Sequence, residues 1–174
     1  DSVMDTDLVL TYSVYEDYPV VTRSARLVQK GDQKIRLENV MSAAVEFPDM
    51  DYEMIHLSGA WARERYVKTR KLEMGIQAVQ SLAGTGSSSE QNPFIALKRP
   101  HTTEDTGEVF GFSFVYSGNF LAQVEVSTYE MTRVMMGINP QGFSWELSRD
   151  EEFQTPEVVM VYSDKGLNGM SQAY

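Results

Sequence analysis

The sequence predicts an all-β, mostly antiparallel two-sheet sandwich with little helix, and three observations predict it. Side chains alternate with a period of two in several stretches, which sends one set to each face of a sheet. β-Branched and aromatic residues, favoured in strands, are dense along the whole chain. Turn residues recur at short intervals, as a sandwich or barrel of many short strands requires.

The first strand covers Leu8 to Tyr15, where Leu8, Leu10, Tyr12 and Val14 alternate with Val9, Thr11, Ser13 and Tyr15. Lys30-Gly31-Asp32 marks a turn between two strand candidates, and Ile35 and Leu37 alternate with Arg36 and Glu38. Gly84 to Ser89 is a low-complexity patch and predicts a flexible loop. Ser117-Gly118-Asn119 predicts a hairpin between Val109–Tyr116 and Phe120–Ser127, with positive-φ residues in a short loop. In Asn139-Pro140-Gln141-Gly142 the fixed φ of proline suits the second position of a type I turn. Val158, Met160 and Tyr162 alternate with Val159 and Val161, and Lys165 to Tyr174 is the one helix candidate, with Ser163 or Asp164 as its cap.

The 174 residues, 42% hydrophobic and 23% charged, fit a single domain, 1–174. Such a chain buries about 70% of its unfolded surface. The net charge of −10, from 15 basic and 25 acidic residues, argues against nucleic acid and anionic membrane as partners. No apolar run approaches the ~20 residues that span a bilayer, and residues 1–7 do not resemble a signal peptide. The absence of cysteine removes disulfides and thiolate metal sites and suits a cytoplasmic protein. Both chain ends read as the boundaries of a piece of something longer.

The residues that could carry chemistry are few. Gly84-Thr85-Gly86 lacks the Lys-Ser/Thr of a phosphate loop. His56 and His101 are isolated, too few to hold a metal, and no cofactor is expected. Asp49, Asp51 and Glu53, then Glu104, Asp105 and Glu108, then Asp150, Glu151 and Glu152 form acidic clusters that read as solvated loop faces. A glycosidase needs two carboxyls about 5–10 Å apart across the scissile bond, which clustering alone does not provide. Phe110, Phe112, Phe114 and Tyr116 form a row at spacing two that predicts core. Trp61 lies two and four residues before Arg63 and Arg65, on one face if the strand continues. It suits the edge of a polar pocket, where a flat ring meets guanidinium donors. It equally suits packing at a sheet end beside surface ion pairs.

Five segments, HLSGAWARER (His56 to Arg65), NPFIAL (Asn92 to Leu97), VYSGNFLAQVE (Val115 to Glu125), GINP (Gly137 to Pro140) and VYSDKGLNGMS (Val161 to Ser171), stand in this order and spacing. Together they resemble the N-terminal β-sandwich domain of microbial α-galactosidases of glycoside hydrolase family 36. The resemblance runs from about Tyr12 to Tyr174. It implies part of a galactose-mutarotase-like supersandwich, belonging to an N-terminal domain considerably longer than this chain. It also implies a parent enzyme that removes terminal α-1,6-galactose from sugars such as melibiose and raffinose with retention. The family keeps its catalytic Asp residues in a (β/α)8 barrel, the nucleophile within Lys-Trp-Asp. That tripeptide is absent here, so no catalytic residue is assigned and the chain alone is expected to be inactive. The implied partners are the catalytic barrel, neighbouring subunits of a homo-oligomer (a tetramer in family members) and a galactoside. The Trp of Gly-Ala-Trp-Ala-Arg-Glu-Arg reaches a neighbour's sugar pocket in tetrameric members, and that role is carried to Trp61 alone. The chain departs from the family by having Ala83-Gly84-Thr85-Gly86 where Arg-Gly is usual, and Arg149-Asp150-Glu151 where Pro-Gly-Glu is usual. Two other readings remain: an independent carbohydrate-binding module, and a module that self-associates through open sheet edges.

Overall fold

A computed structural model describes residues 1–86 and 88–174. The strands among them are β1 (Thr6–Val14), β2 (Val20–Gln29), β3 (Ile35–Leu37), β4 (Met41–Phe47), β5 (Glu53–Ala60), β6 (Arg63–Lys71) and β7 (Gly75–Gln80), followed by β8 (Gln91–Lys98), β9 (Val109–Phe114), β10 (Phe120–Val126), β11 (Thr132–Ile138), β12 (Trp145–Leu147), β13 (Glu152–Gln154) and β14 (Val158–Ser163). One helix, α1 (Gly166–Ala173), follows.

The strands form a large sheet in the order β1-β2-β14-β9-β8-β5-β6, with β13 also on β2, a four-stranded sheet β4-β11-β10-β7 and a small pair β12-β3. The pairings between these strands are antiparallel. This is the all-β sandwich that the alternation predicts.

The two sheets close on one apolar layer. Met54, Ile95, Leu97, Phe112, Phe114 and Val158 come from the large sheet; Ala122, Val124, Val126, Val134 and Met136 come from the small one. Strand β10 alternates strictly between buried and half-buried residues because one of its faces is core and the other is not. The centre of the large sheet is covered on both faces. Behind it, α1 packs Met170 against Ile55, Ala96, Val109 and Val161. Gly111 makes this close approach possible, since a Cβ there would lie 2.9 Å from the Met170 sulfur.

The row Phe110, Phe112 and Phe114 faces the inner layer, as predicted. Tyr116 lies beyond the strand end and stacks on Phe114 with ring centroids 5.4 Å apart.

Three local expectations are corrected. The Ser117-Gly118-Asn119 turn does not close a hairpin: β9 pairs with β8 and β14, whereas β10 pairs with β7 and β11. The turn therefore carries the chain from one sheet to the other. Each strand already has two partners, so none of its backbone groups is left for the other. The Pro140 turn is displaced by one residue. Phe143 N donates to Pro140 O at 3.1 Å and Gly142 takes φ 78°, so proline opens the turn and glycine supplies its positive-φ position.

The helix starts as expected, but its cap differs. Ser163 Oγ accepts from Lys165 N at 3.0 Å, outside the helix. The first helical amides, of Gly166, Leu167 and Asn168, donate instead to the carbonyls of Gly107, Thr103 and Glu104 at 3.0, 3.1 and 2.8 Å. A distant loop thus satisfies the orphan donors of the helix.

The Gly84–Ser89 patch is a loop, with Ser87 outside the described residues. It is tied down at two points: Gly86 N donates to Ser117 O at 2.8 Å and Gly84 N to Asn119 Oδ1 at 2.7 Å.

Candidate functional site: the β5–β6 hairpin

Trp61 and Ala62 form the tip of a long hairpin between β5 and β6, at one edge of the large sheet. The strand does not continue through Trp61. Ala60 pairs with Arg63, the register slips between Ser58 and Ala60, and Ala62 and Arg65 adopt φ of 64° and 60°. Non-glycine residues in that region are held there by their surroundings. The expected common strand face of Trp61, Arg63 and Arg65 is therefore interrupted by a turn and a bulge.

Trp61 is 86% exposed. Just below it, Ser58, Gly59, Ala60, Arg63, Tyr66 and Lys68 line a shallow dish of about 410 Å³. Arg63, Arg65, Lys68, Arg70 and Lys71 give β6 five cationic groups, an exception in so acidic a chain.

Gly59 sets the bulge. Its amide donates to Glu90 O at 3.0 Å, and a Cβ at this position would lie 2.3 Å from Arg63 O and 2.8 Å from Glu64 Cα. Both obstacles are backbone, so they cannot swing aside. Gly59→Ala is expected to cost about 1–3 kcal/mol in stability by strain. Chemical denaturation of the variant against the parent checks this.

A buried polar chain anchors the hairpin, and sequence reasoning missed it. His56 is only 3% exposed. Arg70 Nε and Nη2 lie 3.0 and 2.7 Å from His56 Nε2. An arginine only donates, so Nε2 is the acceptor and the imidazole proton sits on Nδ1. From there it is donated to Ser58 Oγ at 2.7 Å, and Ser58 Oγ donates to Gln91 Oε1 at 3.0 Å. Burial, and then the charges of Arg70 and Lys68, push the His56 pKa down to about 4. The ring is neutral near pH 7. One signal was available: His56 and Ser58 are two apart in a strand and share a face. Arg70 joins them only once the turn at residues 61–62 is known.

The acidic clusters are engaged in local pairing. Arg99 brings two of them together: it grips Asp49 through both terminal nitrogens at 2.6 and 3.2 Å and Glu108 through Nε at 3.0 Å. The hydrogen bond from Arg99 holds Asp49 below the usual carboxylate range, the opposite of what a general acid requires. Glu53 pairs with Lys98, Asp105 accepts from Asn168 at 2.9 Å, and Glu152 pairs with Arg26 at 2.8 Å. Glu151 Oε2 accepts from Ser148 N at 2.7 Å.

His101 is exposed in a turn, far in the chain from His56. Among the described residues no group of three or more His, Cys, Asp or Glu is placed to hold a metal ion. No helix among them is long and apolar enough to cross a membrane.

Fold and hairpin together define a class: an antiparallel β-sandwich domain presenting an aromatic side chain at a hairpin tip. The chain belongs to glycosyl hydrolase family 36, whose N-terminal domain profile matches residues 1–148. It is similar to the α-galactosidase AgaA of Geobacillus stearothermophilus, 55% identical over all of this chain and 24% of that protein. It is also similar to the α-galactosidase Mel36A of Lactobacillus acidophilus, 44% identical over 174 residues and 24% of that protein. The crystal structure of AgaA superimposes with a TM-score of 0.98 at 54% identity, covering 100% of this chain and 24% of that one. That of the Lactobacillus brevis α-galactosidase gives 0.96 at 40% identity, covering 98% and 23%. The chain thus spans about a quarter of the length of these relatives.

Proposed function

We propose that this chain is the non-catalytic part of a retaining α-galactosidase acting on terminal α-1,6-galactosides such as melibiose and raffinose. Its roles are to support a catalytic barrel carried elsewhere in the polypeptide, to help assemble neighbouring subunits, and to complete a sugar pocket with Trp61. The enzyme works in the cytoplasm, a reading that rests on the cysteine-free, acidic composition. Substituted variants of the relative AgaA have been crystallised with raffinose and with stachyose, which supports the substrate class.

One observation carries the pocket role. A tryptophan ring stands 86% exposed at a hairpin tip whose base is fixed by the His56–Arg70–Ser58–Gln91 chain. A rigid ring held clear of the core at such a tip offers a flat apolar platform, and sugar faces are flat and apolar enough to stack on it.

In the polypeptide that includes the barrel, Trp61→Ala is expected to raise KM for raffinose about tenfold, the loss of a contact worth ~1.4 kcal/mol. The melting temperature should stay unchanged, because the ring contributes nothing to the core. An unaltered KM would refute the role. The 174-residue chain alone is expected not to hydrolyse a chromogenic α-galactoside.

The dish beside Trp61, lined by Arg63, Tyr66 and Lys68, supports a second reading, an independent carbohydrate-binding module. Calorimetry with galactose or raffinose on the 174-residue chain separates the two. Millimolar or tighter affinity that Trp61→Ala abolishes favours the module, and no heat favours the scaffold.

A further inference from the structure

The small sheet ends in a second aromatic hairpin tip. Strands β10 and β11 are joined through Ser127 to Met131, and Ser127 N donates to Met131 O at 2.9 Å. Glu130 N donates to Ser127 O at 3.0 Å, and Glu130 takes φ 61°. This is a type I turn followed by a left-handed residue, a hairpin loop in which glycine is usual. A glutamate there is held by its surroundings. Ser127 Oγ is one of the holds, since it accepts from Tyr129 N and Met131 N, both at 3.3 Å. Tyr129 therefore stands on a fixed loop, 86% exposed.

Beside the ring the sheet presents polar groups of both kinds. Glu46 of β4, Arg133 of β11 and Glu125 of β10 lie opposite one another across the three strands. They face away from the core, because Val124, Val126, Thr132 and Val134 on either side of them are buried. Arg133 Nε and Nη2 both donate to Glu46 Oε1, at 2.9 and 2.6 Å. Glu125 Oε2 lies 4.0 Å from Arg133 Nη1, beyond hydrogen-bond reach. Glu46 Oε2, the Glu125 carboxylate and Arg133 Nη1 thus keep capacity for a ligand. With Ser127, Tyr129 and Met131, these residues line a hollow of about 290 Å³, at the small end of the range for ligand sites. An anion entering it would meet two carboxylates, and a cation would meet the guanidinium. A neutral molecule rich in hydroxyls can donate to the acids and accept from the arginine, while its carbon face lies on the ring.

We propose that the hollow beside Tyr129 binds a single neutral pyranose unit, separately from the Trp61 dish. The choice of a sugar rests on the chain's membership of a glycosyl hydrolase family; the site itself does not involve Trp61. Thr132 Oγ1 donates to Asp49 O at 2.8 Å, which places this hairpin near the start of β5. Trp61 follows the far end of that strand, ~25 Å along it.

The test is a titration of the isotope-labelled 174-residue chain with raffinose, followed by amide NMR. The amides of Ser127 to Arg133 should shift saturably, with a Kd in the millimolar range. Tyr129→Ala should weaken this binding about tenfold and leave the melting temperature unchanged, because the ring lies outside the core. Glu125→Gln keeps the shape but loses the charge and should weaken it about threefold. Trp61→Ala should leave it untouched. Shifts at these amides that are absent, that survive Tyr129→Ala or that vanish with Trp61→Ala would overturn the proposal. Equal shifts from glycerol at the same concentration would also overturn it, since the hollow would then accept any polyol. A response confined to Ser58 to Arg63 would overturn this site and leave the Trp61 role standing, so the two readings fail separately.

Discussion

Replacing Arg99 with alanine is expected to destabilise the domain by about 2–3 kcal/mol, between the values for exposed and buried ion pairs. Its side chain is 31% exposed and binds two carboxylates from distant parts of the chain, Asp49 and Glu108. It also donates to Asp51 O at 3.2 Å and lies 3.9 Å above the ring of Tyr52, which is buried in the main core. Truncation strands both acids beside a buried ring and removes a cation–π contact. For a domain of this size the melting temperature should fall by about 5–10 °C. Arg99→Lys keeps the charge but loses the fork that grips Asp49, so it should recover less than half of the loss. A variant as stable as the parent would show the clamp to be inert. The acid limb gives a second check. Asp49 has a lowered folded pKa, so its contribution is present above its unfolded value near 3.8 and fades as pH falls below that. Arg99→Ala should flatten this part of the profile.

The second large effect is acid sensitivity at milder pH. His56 titrates near 6.5 when unfolded and at about 4 when folded. At pH 7 it is neutral in both states. As pH falls below 6.5 the unfolded chain takes up a proton that the folded one refuses, so stability declines until about pH 4 and then levels off. The full drop is about 3 kcal/mol, at 1.36 kcal/mol per pH unit of difference. His56→Gln should remove this slope while leaving the Asp49 limb below it. Urea midpoints from pH 7 to pH 4 for both proteins check it: a parent that is flat over this window would contradict the buried neutral imidazole.

Much of the sandwich was legible in the sequence because its strongest signal, the period of two, is local. The row Phe110, Phe112 and Phe114 could be assigned to the core without knowing its partners. What failed was non-local. Ser117-Gly118-Asn119 states that the chain turns, not which sheet receives it, and β9 and β10 each find both partners elsewhere. The start of α1 was visible, but its cap comes from carbonyls about sixty residues earlier in the chain. At the candidate site, Trp61 was visible through its flanking residues. The His56 chain was not, because Arg70 reaches the ring only across a turn built on Ala62, a residue with no turn preference. The Arg99 clamp joins residues 49 and 108, a separation no local pattern reports.

The borrowed cap of α1 has a mechanical consequence. Residues 103–107 hold the first turn of the terminal helix, and Gly107 also bridges to Lys165. Loop and helix are thereby coupled and should open as one unit. A protease that cuts near Asp105 would release the helix at the other end of the sequence and uncover Val109 and Val161 behind it. A single nick on the surface would thus expose greasy surface on the back of the main sheet, leaving the sandwich sticky while its inner layer stayed intact.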